Sequence, residues 1–95
     1  MFIISLNYIK SIPDVERLIP AHRKFLEHFY DSGHFLLSGR KEPRDGGIII
    51  AQAETRSEIE NIIREDPFWK EQMADYQITE FFPTMTAKSL LHLKV

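Results

Sequence analysis

The chain has 95 residues, enough for one domain and too few for two. Hydrophobic residues make up 43% and charged residues 27%, which is the balance of a globular domain and excludes a disordered chain. The formal net charge of -2 lacks the basic excess that phosphate neutralisation requires, so nucleic acid is not expected as a partner. The absence of cysteine removes disulfides, thiolate nucleophiles and cysteine zinc sites together.

Met1 to Tyr8 carries no basic segment leading into a cleavage site. No apolar run approaches the roughly 20 residues that span a bilayer. A cytoplasmic protein with no membrane partner is the expectation.

Phe2 to Tyr8 alternates, with Phe2, Ile4, Leu6 and Tyr8 on one side and Ile3, Ser5 and Asn7 on the other. This pattern predicts a strand with one apolar face. Pro13 suits a helix start. Leu18, His22, Phe25, Leu26, Phe29 and Tyr30 then recur at spacings of three and four, the stripe of an amphipathic helix. Pro20 lies inside that pattern and fits only a first turn, so the helix is expected to restart there and run from about Pro20 to Ser32. Gly33 ends it.

His34 to Gly39 reads as a second strand, Arg40 to Gly47 as a turn, and Ile48 to Ala53 as a third strand. The third strand, Ile48 to Ala53, reads as a continuous apolar run that suggests burial on both faces. Thr55 and Glu58 have capping-box spacing before Ile59, Ile62 and Ile63, the stripe of a second helix. Asp66-Pro67 suits another start, with Asp66 as N-cap and Pro67 in the first turn. Tyr76 to Phe82 reads as a fourth strand closed by Pro83.

The order β-α-β-β-α-β is the ferredoxin-like α+β plan, an antiparallel sheet with helices on one face. The other face needs a cover, and a second copy of the chain is the simplest one, so a homodimer is expected. The whole of residues 1–95 reads as one domain with a core of about 1–83. In the tail, Ser89 to Val95 alternates and predicts a short fifth strand at the dimer interface, where it would shield an exposed edge. A frayed terminus is the alternative.

His22 falls in the middle of the apolar stripe and so faces the sheet. A partly buried imidazole needs a partner for its ring N–H. A carboxylate partner would fix its tautomer for acid–base work, whereas a backbone carbonyl would make it an ordinary core histidine. Asp66 is fully explained as a helix cap, and a second carboxylate oxygen remains available to orient an imidazole. Ser38 and Gly39 stand where a strand meets a turn. A hydroxyl there can hold a ligand, and glycine lets one approach the backbone. Arg44, in a mixed-charge turn, suits either solvent or an anionic substrate. Phe68, Trp69, Tyr76, Phe81 and Phe82 suit core or interface, with some available to line a pocket.

Other chemistries have no pattern here. There is no nucleophile elbow, no His-Glu-x-x-His motif and no calcium loop, and His28, His34 and His92 are scattered. Gly46-Gly47 is too short for a phosphate loop. Neither a metal nor a cofactor is expected.

The segments Pro20 to Leu26, Gly33 to Gly39, Gly46 to Ala51, Glu65 to Phe68 and Ala74 to Phe81 together resemble the YCII-related (YciI-like) proteins, in order, over residues 1 to about 83. The resemblance implies a dimeric α/β barrel built from ferredoxin-like protomers. It also implies a pocket at the helix–sheet face holding a histidine–aspartate pair. Carried over by motif, that pair is His22 and Asp66, with Ser38 beside it and Gly39, Arg44 and Phe68 as substrate-binding neighbours. One branch of the family resembles a dehydrochlorinase of a chlorinated hydroxyhydroquinone, and similar barrels include muconolactone isomerases and cofactor-free monooxygenases. The family often has proline after Ser-Gly, where this chain has Arg40, which alters the polarity of the pocket. The implied function is cofactor-independent lyase or isomerase chemistry on a small cyclic or aromatic molecule. The alternative is a non-catalytic dimeric module that binds a small metabolite or assists a partner protein.

Overall fold

A computed structural model describes residues 1–95. In chain order the elements are β1 (Phe2–Tyr8), α1 (Ile12–Arg17), α2 (Ile19–Asp31), β2 (Phe35–Arg40), β3 (Gly46–Ala51), α3 (Arg56–Ile63), α4 (Pro67–Lys70) and β4 (Ala74–Glu80), followed by a 3₁₀ helix, Lys88–Leu93. The four strands form one antiparallel sheet in the order β2-β3-β1-β4. This is the expected α+β, ferredoxin-like arrangement, with β1 central because it pairs with both β3 and β4.

The helices start and stop for local reasons. Ser11 caps α1 by accepting from the Asp14 amide. Leu18 ends α1 and opens α2, whose first turn holds Pro20 without losing an intrahelical bond. Gly33 leaves α2 at φ +84, a conformation that side chains disfavour. Thr55 caps α3 through the Glu58 amide as expected. The reciprocal half of the capping box is absent, because the Glu58 carboxylate instead meets His34 Nε2 at 3.2 Å.

The apolar stripes pack on one side of the sheet. Phe2, Ile4 and Leu6 of β1, Ile49 and Ala51 of β3, Phe25 and Phe29 of α2, Ile59, Ile62 and Ile63 of α3, and Phe68 of α4 form one core. Burying one such side chain is worth about 1.5–3 kcal/mol, so this single layer accounts for most of the stability of a chain this small.

Three expectations need correction. Ile48 to Ile50 is not buried on both faces. Ile49 packs under the helices, while Ile48 and Ile50 point to the opposite face and are only half-buried, because one chain supplies no second layer there. Gly46 and Gly47 belong to β3 rather than the turn, which shortens the hairpin loop to residues 41–45. The tail forms the 3₁₀ helix Lys88–Leu93 in place of a strand. A strand needs a ladder partner, and the tail finds none within the chain. A 3₁₀ turn satisfies its backbone locally.

Gly46 is the tightest point of the sheet. A Cβ built there would lie 1.7 Å from the backbone oxygen of Leu6 on β1, and backbone cannot yield as a side chain can. At Gly39 an added Cβ meets nothing within 4 Å. Gly46→Ala is therefore expected to cost about 3 kcal/mol or more. Gly39→Ala should stay within about 0.5 kcal/mol of wild type. Urea unfolding of the two variants checks this, and equal midpoints would mean that the approach of β1 to β3 does not demand glycine.

Candidate active site

The stripe that builds α2 also aims His22 at the sheet. The Asp-Pro start that builds α4 brings Asp66 to meet it. His22 Nδ1 lies 2.8 Å from Asp66 Oδ1, and the histidine side chain is 15% exposed while that of Asp66 is 0% exposed. The same oxygen, Oδ1, accepts the Phe68 amide at 3.0 Å, which is the helix cap. The other oxygen, Oδ2, accepts the Tyr76 hydroxyl at 2.6 Å. One buried carboxylate thus serves three donors from three elements, which offsets the cost of burying it.

A carboxylate only accepts, so the bond assigns the proton of the neutral imidazole to Nδ1 and leaves the lone pair on Nε2. Nε2 has no hydrogen-bond partner within the chain. The imidazole lies flat on Phe68, with centroids 4.1 Å apart and planes 8° from parallel. Hydrogen bond and stacking together fix the ring in position and orientation.

Tyr76 is held as a phenol. Burial pushes its pKa up, and the adjacent Asp66 charge and hydrogen bond push it further. Tyr8 is also raised, first by burial and then by Asp66, while Arg44 opposes the shift.

His22 opens onto a cleft of about 350 Å³ between α2 and the sheet. Leu6, Ile49 and Phe68 give it apolar surface. Ser38, Gly39, Arg40 and Arg44 lie along its β2–β3 side, and Ile19, Arg23 and Leu26 along its α2 side. Apolar walls with a few polar groups suit a small organic ligand.

The YCII-related domain model matches residues 1–82. The chain belongs to the YCII-related family. Its structure is similar to that of the 5-chloro-2-hydroxyhydroquinone dehydrochlorinase of Burkholderia phenoliruptrix, solved as a complex with 2,5-dihydroxybenzoquinone. The TM-score is 0.71 at 17% identity, covering 85% of this chain and 93% of the other, so the likeness is one of fold. No curated protein matches the chain in sequence.

In this YCII-related chain five of the six residues singled out from sequence line the cleft: His22, Ser38, Gly39, Arg44 and Phe68. Asp66 stands behind His22 rather than in the cleft wall. Ser38 shares its hydroxyl with Tyr30 Oη, and Arg44 Nη1 pairs with Glu16 at 2.9 Å. Gly39 is not there to clear space, since its Cβ position is open. Sequence reasoning passed over Tyr76 as a donor to Asp66, and Tyr8 and Arg23 as cleft residues, whereas Arg40, expected to alter the polarity of the pocket, does line it. The signal for Tyr76 was its alternation with Ile78 on the helix-facing side of β4, where Tyr76 pairs with Leu6.

Removing the carboxylate strands its donors. Asp66→Ala is expected to cost about 3–5 kcal/mol, from lost cap and unpaired groups together. Tyr76→Phe removes one bond and should cost about 1 kcal/mol at neutral pH. The folded pKa of Tyr76 lies above the ordinary tyrosine value of 10.0, so its stabilisation is complete below pH 10 and is lost as pH rises further. The stability gap between wild type and Tyr76→Phe should narrow above pH 10 in denaturant titrations. A gap that widens there would contradict the donor role.

Proposed function

We propose that this YCII-related protein is an enzyme that moves a proton on a small cyclic or aromatic substrate, without a cofactor, through His22 oriented by Asp66. The observation that carries the reading is the 2.8 Å contact of His22 Nδ1 with a fully buried carboxylate, beside a cleft of ligand size. The free lone pair on Nε2 can take a proton from carbon or oxygen of a bound molecule. The imidazolium that forms lies against the Asp66 charge, which stabilises it. Returning the proton to another atom of the same molecule is an isomerisation. Expelling a leaving group with its electron pair from the neighbouring carbon, as the C–H pair becomes the new double bond, is an elimination. A dehydrochlorination is of that second kind, and the fold likeness to a dehydrochlorinase supports testing it first.

The experiment is turnover of a panel of chlorinated hydroquinones and unsaturated lactones. His22→Ala is expected to lower kcat by about 10²–10⁴-fold on any substrate that reacts, with the fold intact by circular dichroism. Asp66→Asn keeps a capping oxygen and should lower kcat as well, because an amide no longer enforces the tautomer. Undiminished turnover in His22→Ala would sink the proposal.

The working form is a homodimer in this reading. Ile48 and Ile50 are half-buried and Leu37 is 60% exposed, leaving apolar surface on the face opposite the helices. A second copy of the chain would cover it. Wild type should sediment at twice the chain mass, and Ile50→Lys should sediment as one chain. A monomeric wild type at micromolar concentration would refute the dimer.

A further inference from the structure

We propose that the cleft selects a planar organic carboxylate, gripped by Arg23 and Arg40 with Arg44 completing the positive field. This names the substrate class of the site above, and so rests on that cleft being the small-molecule site.

The charges lining the cleft are all of one sign. Arg23 comes from α2, Arg40 from the end of β2 and Arg44 from the β2–β3 loop, while no aspartate or glutamate lines the cleft. The chain as a whole has 14 acidic residues against 12 lysines and arginines, so three cations with no carboxylate in the wall of the same concavity run against its overall balance. They also arise from three separate elements, which a solvated helix face would not produce. Arg44 is partly compensated by Glu16. Neither Arg23 nor Arg40 makes an ion pair within the chain.

The position of Arg40 follows from register. It pairs with Gly47, which in turn pairs with Leu6, so it stands on the helix-facing side of the sheet beside Ser38. Gly47 has no side chain to obstruct it. A guanidinium presents a planar fork of donors that matches a carboxylate in bidentate fashion. The ring of such a ligand has apolar partners in Phe68 and Leu26. Low-dielectric walls concentrate the field of the cations on whatever enters. A carboxylate held at the arginine end keeps the rest of the molecule beside His22.

The test uses two probes of equal shape, benzoate and benzamide, titrated into the full chain with backbone amides followed by NMR. Wild type is expected to bind benzoate about tenfold more tightly than benzamide, with the preference shrinking as salt is raised. The double variant Arg23→Gln, Arg40→Gln should lose the preference. Lys24→Gln, beside Arg23 but outside the cleft, should change it by no more than about twofold. His22→Asn should retain it, because the arginines carry the charge recognition. Equal binding of the two probes by wild type overturns the carboxylate assignment while leaving the cleft as a ligand site. Cleft amides unmoved by either probe up to their solubility overturn both. A preference that survives the double variant, or is lost in His22→Asn, overturns the assignment to the arginines.

Discussion

A single carboxylate ties this small structure together. Asp66 is buried completely, and its three bonds reach a different element each time: the amide of Phe68 within its own helix, the ring of His22 on α2 and the hydroxyl of Tyr76 on β4. A buried charge survives only if its lone pairs are used, and here all the donors are protein groups. The arrangement caps α4, docks α2 against it and joins both to the edge of the sheet. The same bond that satisfies the aspartate holds the histidine in one tautomer. Structural economy and chemical poise therefore meet on one carboxylate.

The cleft follows from what surrounds that interaction. The helices cover the sheet fully where Phe2, Ile4 and Ala51 lie, and leave it open toward Gly47 and Arg40. Glycines at 46 and 47 let β3 run close to both neighbours, so the floor of the cleft is backbone rather than side chain at that point. Three arginines stand around this gap. The result is a half-apolar concavity with a histidine at one place and a positive field at another, which suits a ligand that carries both a ring and a negative charge. The opposite face of the sheet has the complementary problem, an apolar surface with nothing from its own chain to cover it.

Much of this was legible in the linear order of residues. The stripe Leu18–His22–Phe25–Phe29 predicts both the helix and the inward histidine, because a period of 3.6 assigns faces without reference to anything else. Asp-Pro before an aromatic run predicts the cap, and alternation in Phe2 to Tyr8 predicts the central strand. Strand ends were less legible. Gly46 and Gly47 read as turn residues, and only the closeness of the Leu6 backbone reveals that Gly46 is a glycine for lack of room. The tail alternates like a strand, yet alternation has no force where the segment pairs with no strand of its own chain.

By itself, then, the sequence determined the element types up to the tail, the face His22 occupies and the cap at Asp66, since each depends on neighbours within a few residues along the chain. Only the tertiary structure decided that these two meet, because they are 44 residues apart and their contact depends on how α2 and α4 pack. It also decided that Tyr76 is the third party on the carboxylate, and that Arg23, Arg40 and Arg44 face one cavity. Residues on separate elements have no common periodicity to reveal them. The histidine–aspartate pair was therefore suggested by local pattern and family resemblance, and its geometry was made by packing.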